Sequence, residues 1–185
     1  MWYKILGVIL ACLMMPVFAN NETQIKHAQV SIQKNHYVLS ADIDYFLSEQ
    51  VDEALQNGVP IFWSIFVKIE KKRPFWSNKT LVKQRLRYRL QYHALLNMYR
   101  VLNENSGALN SFSTLTAALN TMGTVRDFSL MSTEALDLNA QYQVVIKAEF
   151  EENALPLPLR IHLFANSQWR LSSDWSYWAI EHANF

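Results

Sequence analysis

The sequence predicts a mainly β fold of the α+β kind: an antiparallel β-sheet or sandwich with two short helices packed on an end or edge. The leading observation is that apolar and polar residues alternate with a period of two through most of the chain after residue 20, as half-buried strands require. Only two stretches place apolar residues at helical spacing. The connections between predicted elements are short or hairpin-like, which favours antiparallel neighbours.

Four segments show the clearest alternation: residues 37–47, 61–69, 80–92 and 142–150. In the second of them every odd position is apolar, and Phe62 and Phe66 add apolar side chains on the opposite face, which is typical of a central strand. Weaker patterns predict strands at 25–33, 98–102, 126–131, 159–165 and 169–175. The polar stretches 103–111 and 136–141 predict loops.

Each predicted helix has a start and a stop signal. Ser48 can cap the first helix, whose opening turns carry acidic residues near the positive end of the helix dipole, and Gly58 supplies a left-handed exit. Ser113 or Thr114 opens the second helix and Gly123 closes it. Both helices are short, so packing against the sheet must hold them.

The first nineteen residues have the order of a secretory signal peptide. Lys4 precedes an apolar run, and Val17 and Ala19 stand three and one positions before a predicted cleavage at Asn20. The run is shorter than the roughly 20 residues that span a bilayer. We therefore expect a signal peptide at 1–19, a single β-rich domain at 20–185 and no membrane span after cleavage. The alternatives are a lipoprotein acylated at Cys12 or a leader retained as an N-terminal membrane anchor.

The composition after the leader excludes several classes of function. Lys4 is the only charge in the leader, so the remaining 166 residues hold 16 of the 17 Lys and Arg against 16 Asp and Glu. This balance argues against general nucleic-acid binding. Cys12 is the only cysteine, so the domain has no disulfide, thiolate nucleophile or cysteine metal site.

No catalytic or cofactor signature is found in the sequence. The five histidines lack a second histidine three to five residues away, no serine stands in a glycine-flanked elbow, and the four glycines form no phosphate-binding loop. We therefore predict a protein that is not an enzyme and needs no cofactor or metal. A hydrolase would need His93 or His162 to meet a carboxylate and a hydroxyl in one cleft.

The most distinctive feature is a row of cations. Ten cations lie between Lys68 and Arg100, where Glu70 is the single acid. On the predicted strand 80–92 the outward residues include Lys83, Arg85, Arg87 and Arg89, about 6.5 to 7 Å apart along the strand. One interpretation is structural: Asp42, Asp44, Glu149 or Glu151 lies across the row, or the cations protect a sheet edge. The other is a docking face for an anionic envelope component or an acidic protein segment.

Aromatic residues suggest a second candidate site. Trp175 and Trp178 lie in a Trp-rich tail and could line a shallow apolar or sugar-stacking groove. On this alternative hypothesis the protein carries a small lipid or glycan in an aromatic-lined cavity.

Several short motifs resemble one known family. They are Gly58-Val59-Pro60, Arg73-Pro74 with Trp76, Tyr92-His93-Ala94-Leu95, Tyr99-Arg100-Val101, Leu155-Pro156 with Pro158, and the tail Trp169, Leu171, Ser173, Asp174, Trp175 and Trp178. They resemble the bacterial exported family called domain of unknown function 4390, over nearly the whole chain after the leader. Relatives commonly carry acidic residues soon after the Arg-Pro-x-Trp motif, where this chain has Ser77, Asn78 and Lys79.

The resemblance implies a periplasmic protein of a Gram-negative bacterium, without established catalytic residues, and a membrane sensor kinase as a candidate partner. Together with the residues, it leads us to expect a non-enzymatic module that binds a protein or an envelope component. The expected contact face is formed by Lys83, Arg85, Arg87 and Arg89.

Overall fold

The computed structural model describes residues 22–137, 139–160 and 171–180. In this part of the chain the strands and helices follow the order β1 (Gln24–Gln33), β2 (His36–Asp44), α1 (Glu49–Gln56), β3 (Ile61–Lys71), β4 (Lys79–His93), β5 (Met98–Asn103), β6 (Leu109–Phe112), α2 (Leu115–Gly123), β7 (Thr124–Ser132), β8 (Tyr142–Phe150) and β9 (Ser176–Ile180). Short 3-10 helices occur at Ala94–Leu96, Thr133–Ala135 and Glu152–Ala154.

The strands form two antiparallel sheets. One has three strands in the order β1-β2-β7, and the other has six in the order β6-β5-β4-β3-β8-β9. The predicted fold class is confirmed: a mainly antiparallel β structure with a few short helices. Among the described helices, none has the length and apolar character needed to cross a bilayer.

The core lies between the six-stranded sheet and two groups of elements on one of its faces. Over one part of that face, Leu39 of β2 belongs to the same buried cluster as Ile65 of β3 and Ile146 of β8. Over the other part, Leu55 of α1 and Met122 of α2 join a cluster around Trp63. The six-stranded sheet is thus covered by the small sheet and by the two helices.

Strand alternation was predicted correctly where one face is buried. The odd positions of β3 from Ile61 to Ile69 are all buried, and β8 has the predicted bounds. The prediction for 37–47 extends too far, because β2 ends at Asp44. Beyond it the Phe46 amide donates a hydrogen bond to the Thr23 hydroxyl (3.0 Å), and the chain turns into the cap of α1.

Three predictions about the weaker elements need correction. Residues 109–112 form β6 rather than a loop, because they pair with β5. The last described strand begins at Ser176, so the predicted strand at 169–175 is wrong over residues 171–175, and residues 169–170 lie outside the described residues. Residues 157–160 are helical, since Pro156 and Pro158 suit the first turn of a helix; the rest of the predicted strand at 159–165 lies outside the described residues.

The helix signals were located correctly, but one glycine has a different role. The Ser48 hydroxyl accepts from the Val51 amide (3.4 Å), the Thr114 hydroxyl accepts from the Ala117 amide (3.2 Å), and Gly58 has the left-handed φ of 80°. Gly123 lies inside the last turn of α2 instead. A Cβ atom there would lie 2.0 Å from the Ile43 carbonyl oxygen, so this glycine permits close contact between α2 and β2.

Candidate functional site

The candidate site is the face of the six-stranded sheet that points away from the core, which we call the outer face. Its described residues come from β3, β4 and the β8 end: Phe62, Ser64, Phe66, Lys68, Lys83, Arg85, Arg87, Arg89, Lys147, Glu149 and Glu151. The buried core residues of β3 are on the opposite side, at odd positions. The four predicted contact residues therefore do share one outward row.

Strand register sets each arginine beside a residue of β3. Arg85 pairs with Phe66, Arg87 with Ser64 and Arg89 with Phe62. The Arg87 guanidinium lies 4.4 Å from the centre of the Phe62 ring, and that of Arg85 lies 5.9 Å from the centre of the Phe66 ring. Both distances are within the range of cation–π attraction, so the two rings stabilise the positions of the guanidinium groups over the sheet.

Glu151 holds the centre of the row. Its carboxylate accepts from Arg87 Nη2 (2.8 Å) and Nε (2.9 Å), from Arg85 Nη2 (3.1 Å) and from the hydroxyl of the fully buried Ser64 (2.5 Å). The hydrogen bonds from Arg87 hold the pKa of Glu151 below its ordinary value, against the opposing effect of burial. The carboxylate is therefore ionised at neutral pH and fixes two of the four cations.

Glu104 is a second acid in the row, and sequence reasoning missed it. Arg87 Nη1 donates to its carboxylate, and Arg89 Nε lies 4.0 Å from it. The hydrogen bond to Glu151 raises the pKa of Arg87, and Glu104 adds to this effect. Glu104 follows β5 in a segment predicted only as a loop, and no local pattern links it to a strand that lies earlier in the chain.

The structural interpretation of the row is thus correct in part. Of the four acids proposed to lie across it, only Glu151 bonds to a row arginine among the described residues. Asp42 pairs with Arg126, Asp44 with Lys26 (3.3 Å) and Glu149 with Lys147 (2.6 Å). Glu149 lies on the outer face but is held by its neighbour two residues away.

The two ends of the row are less constrained than Arg87. Lys83 is exposed and forms no ion pair with a described residue, and Arg89 has only the 4.0 Å contact with Glu104.

The edge of β4 beside the row is partly closed by Asn105. Its side chain accepts from the Arg87 amide (2.7 Å) and donates to the Arg85 carbonyl (2.9 Å), so it occupies backbone groups that a foreign strand would need.

The two tryptophans of the predicted groove lie on opposite faces of the sheet. Trp175 is on the outer face, where Lys68 Nζ lies 3.7 Å from the centre of a ring. Trp178 is in β9, where it pairs with Val144 of β8 and packs against the core. The centre of its ring lies 5.6 Å from that of His27. The structure therefore does not bring Trp175 and Trp178 together in one groove.

The residues considered for hydrolysis are not assembled into a site in the described part of the chain. His93 ends β4, opposite Met98, and its Nδ1 is buried without a hydrogen-bond partner among the described residues. His162 lies outside them. No cluster of three or more histidine, cysteine, aspartate or glutamate side chains suited to a metal ion occurs in residues 22–137, 139–160 and 171–180.

The cavities of the described part include three that are open to solvent and have charged residues in their lining. One of about 380 Å³ lies beside Lys26 and Asp44, and one of about 370 Å³ lies beside Lys147 and Glu152. The third, about 730 Å³, lies beside Arg73. Polar and charged side chains share the lining of all three, whereas a lipid carrier needs a predominantly apolar cavity.

The fold and the outer face define a β-rich domain of two antiparallel sheets, with a charged sheet face and no catalytic constellation in the residues that the structure describes. Residues 20–179 match the family model described as domain of unknown function 4390. The match covers most of the chain, so the chain belongs to this family, and the resemblance inferred from the motifs is confirmed. No curated protein and no solved structure matches the chain.

Proposed function

We propose that this protein is an exported, non-enzymatic binding module of the cell envelope whose outer face docks an acidic segment of a partner protein. The observation that carries the proposal is the six-stranded sheet itself. Its core side is covered by a second sheet and two helices, while its outer face presents a row of cations over aromatic rings.

The geometry of the row suits an acidic protein segment. Glu151 and Glu104 hold Arg87 in place, so the middle of the row is rigid and nearly neutral. Lys83 and Arg89 extend the row on either side and keep donors for an incoming carboxylate. A ligand with acidic groups spaced along an extended chain would meet both ends, whereas a single small anion would meet only one.

Export is supported by the leader and by the family match. The predicted cleavage leaves a chain that begins at Asn20, and the family model matches from residue 20. A location in the periplasm and a membrane sensor kinase as partner remain part of this proposal. We give less weight to the lipid or glycan carrier, because polar and charged side chains share the lining of these three cavities and the two tryptophans are separated.

The test reverses the charges at the two ends of the row, Lys83 and Arg89, and leaves the ion pairs of Arg87 in its middle intact. We expect the double variant Lys83→Glu/Arg89→Glu to recover crosslinked partners from cells roughly tenfold less well, because like charges would face the acidic segment. Its melting temperature should stay close to that of the wild type. Crosslinking followed by mass spectrometry measures the partners, and thermal unfolding measures the fold.

The matched control is Lys26→Glu/Lys34→Glu, which changes the net charge equally but lies in β1 and in the turn that follows it. This variant should recover partners as the wild type does. An unchanged partner list in the Lys83→Glu/Arg89→Glu protein, or an equal loss in the control, would remove the outer face as the docking site.

A further inference from the structure

The turn between β3 and β4 presents two aromatic side chains directly to solvent. We call residues 72–79 the hairpin tip. Relative exposure is 101 % for Phe75 and 78 % for Trp76, the highest values for any aromatic residue in the described part of the chain. Folding leaves both rings in water, and adjacent exposed aromatic residues of this size usually mark an interaction site.

The backbone of the tip also argues against a purely structural role for Phe75. Its φ is 69°, in the left-handed region that bulky residues rarely adopt and that glycine or asparagine fills more easily. The ring makes no core contact that offsets this cost. An aromatic residue at this position therefore lowers the stability of the fold, and no packing contact of the ring offsets that loss.

Cations flank the two rings. Lys72, Arg73 and Lys79 are exposed and form no ion pair with a described residue, while Lys71 is held by Asp137 at 3.4 Å. Glu70, the nearest acid along β3, accepts hydrogen bonds from Gln143 and Asn78. The cavity of about 730 Å³ opens at the base of the tip between Lys72, Arg73 and Asn78, and offers donors to a phosphate group.

We propose that the hairpin tip binds the surface of an anionic lipid bilayer. Phe75 and Trp76 enter the interfacial layer, where amphipathic aromatic rings are enriched, and Lys72, Arg73 and Lys79 contact lipid phosphates. A bilayer fits better than a protein partner, because a stable protein interface buries about 800 Å² on each side, and a narrow turn with two projecting rings offers much less. This proposal concerns a different surface from the outer face and does not depend on it.

The opposite end of β4 provides a matched comparison. Its 15 residues place the turn at Ala94–Leu96 roughly 50 Å from the tip. Leu95 and Leu96 are also exposed there, at 94 % and 52 %, but no cation lies within that turn. Apolar exposure without positive charge can therefore be tested in the same molecule.

The experiment is co-flotation of the protein, as isolated from producing cells, with two kinds of vesicle. One is phosphatidylcholine alone, and the other contains three parts phosphatidylcholine to one part phosphatidylglycerol. The wild type should float with the anionic vesicles. Phe75→Ser/Trp76→Ser should lower the partition coefficient at least tenfold, and Lys72→Gln, Arg73→Gln and Lys79→Gln should each lower it by about fivefold. Leu95→Ser/Leu96→Ser should bind as the wild type does.

A second measurement separates the tip from any other membrane-binding segment. With brominated lipids in the anionic vesicles, the wild type should show more fluorescence quenching than Trp76→Phe, which keeps an aromatic ring and should still float. Circular dichroism confirms that each variant is folded. The proposal is overturned if Phe75→Ser/Trp76→Ser floats as well as the wild type, if neutral vesicles bind equally, or if Trp76→Phe is quenched to the same degree. Loss of a protein partner or of self-association in the tip variant, without vesicle binding by the wild type, would also overturn it.

Discussion

Arg87 and Glu151 form a two-point ion pair across the outer face, with Nη2 to Oε2 at 2.8 Å and Nε to Oε1 at 2.9 Å. The pair joins β4 to the end of β8 over the β3 residue Ser64, which donates to the same carboxylate. Both charged side chains are partly buried. The pair therefore fixes three strands at one point.

Replacing Glu151 should cost more than replacing Glu149. Glu151→Gln leaves Arg87 without its main anion, and we expect a loss of about 2–3 kcal/mol in the free energy of unfolding. Glu149→Gln loses only the more exposed pair with Lys147, so a change below about 1 kcal/mol is expected. Urea unfolding at neutral pH measures both. Equal values for the two variants would contradict a central role for Glu151.

The same carboxylate should make stability depend on pH on the acid side. Because the folded state lowers the pKa of Glu151, its ion pair contributes fully above the unfolded glutamate value, about 4.3, and the contribution is lost as the pH falls through the lower folded value. The free energy of unfolding of the wild type should therefore fall more steeply below about pH 4 than that of Glu151→Gln. Parallel curves would show that this pair does not control acid unfolding.

Gly123 and Gly107 should tolerate alanine to different degrees. At Gly123 a Cβ atom would meet the backbone of Ile43, which cannot move aside easily, so Gly123→Ala should destabilise the protein by about 3 kcal/mol. At Gly107 nothing lies within 4 Å, but φ is 75°, so Gly107→Ala should cost only about 1 kcal/mol. Thermal unfolding of both variants decides between contact and backbone strain as the reason for each glycine.

Trp63 should be the most sensitive tryptophan of the described core. It is fully buried, and its indole N–H donates to the Leu171 carbonyl (3.1 Å). Trp63→Phe removes this bond and leaves a void, for an expected loss of about 2–3 kcal/mol. Trp76→Phe, at the exposed tip, should leave stability unchanged. The comparison is wrong if both variants unfold at the same urea concentration.

The sequence was informative wherever burial imposes a period. The outward row on β4 could be predicted because Leu86 and Leu90, at the even positions of the same strand, are buried. β6 could not, because Leu109 and its neighbours are exposed and become a strand only by pairing with β5. Apolar residues alternate with a period of two in a strand that has one buried face. An exposed edge strand has no buried face, so its sequence does not show this alternation.

The site was predictable in its cations but not in its acids. Glu149 and Glu151 have the same strand parity. The register of β8 against β3 sets Glu149 opposite Ser64, yet the Ser64 hydroxyl donates to Glu151, which lies just past the end of β8. Glu104 depends on a turn after β5 that brings it back to β4. Register and turn geometry are long-range properties, so local patterns could not choose between the acids.

The position of β3 between β4 and β8 has a consequence for how the chain reaches its native state. Ser64 and Glu151 are 87 positions apart, so the ladder between β3 and β8 closes only after most of the chain is available. Distant pairings of this kind form slowly, and an open apolar strand attracts other chains in the interval. A chain cut before Tyr142 would keep β3 in that vulnerable condition permanently, and aggregation would replace folding.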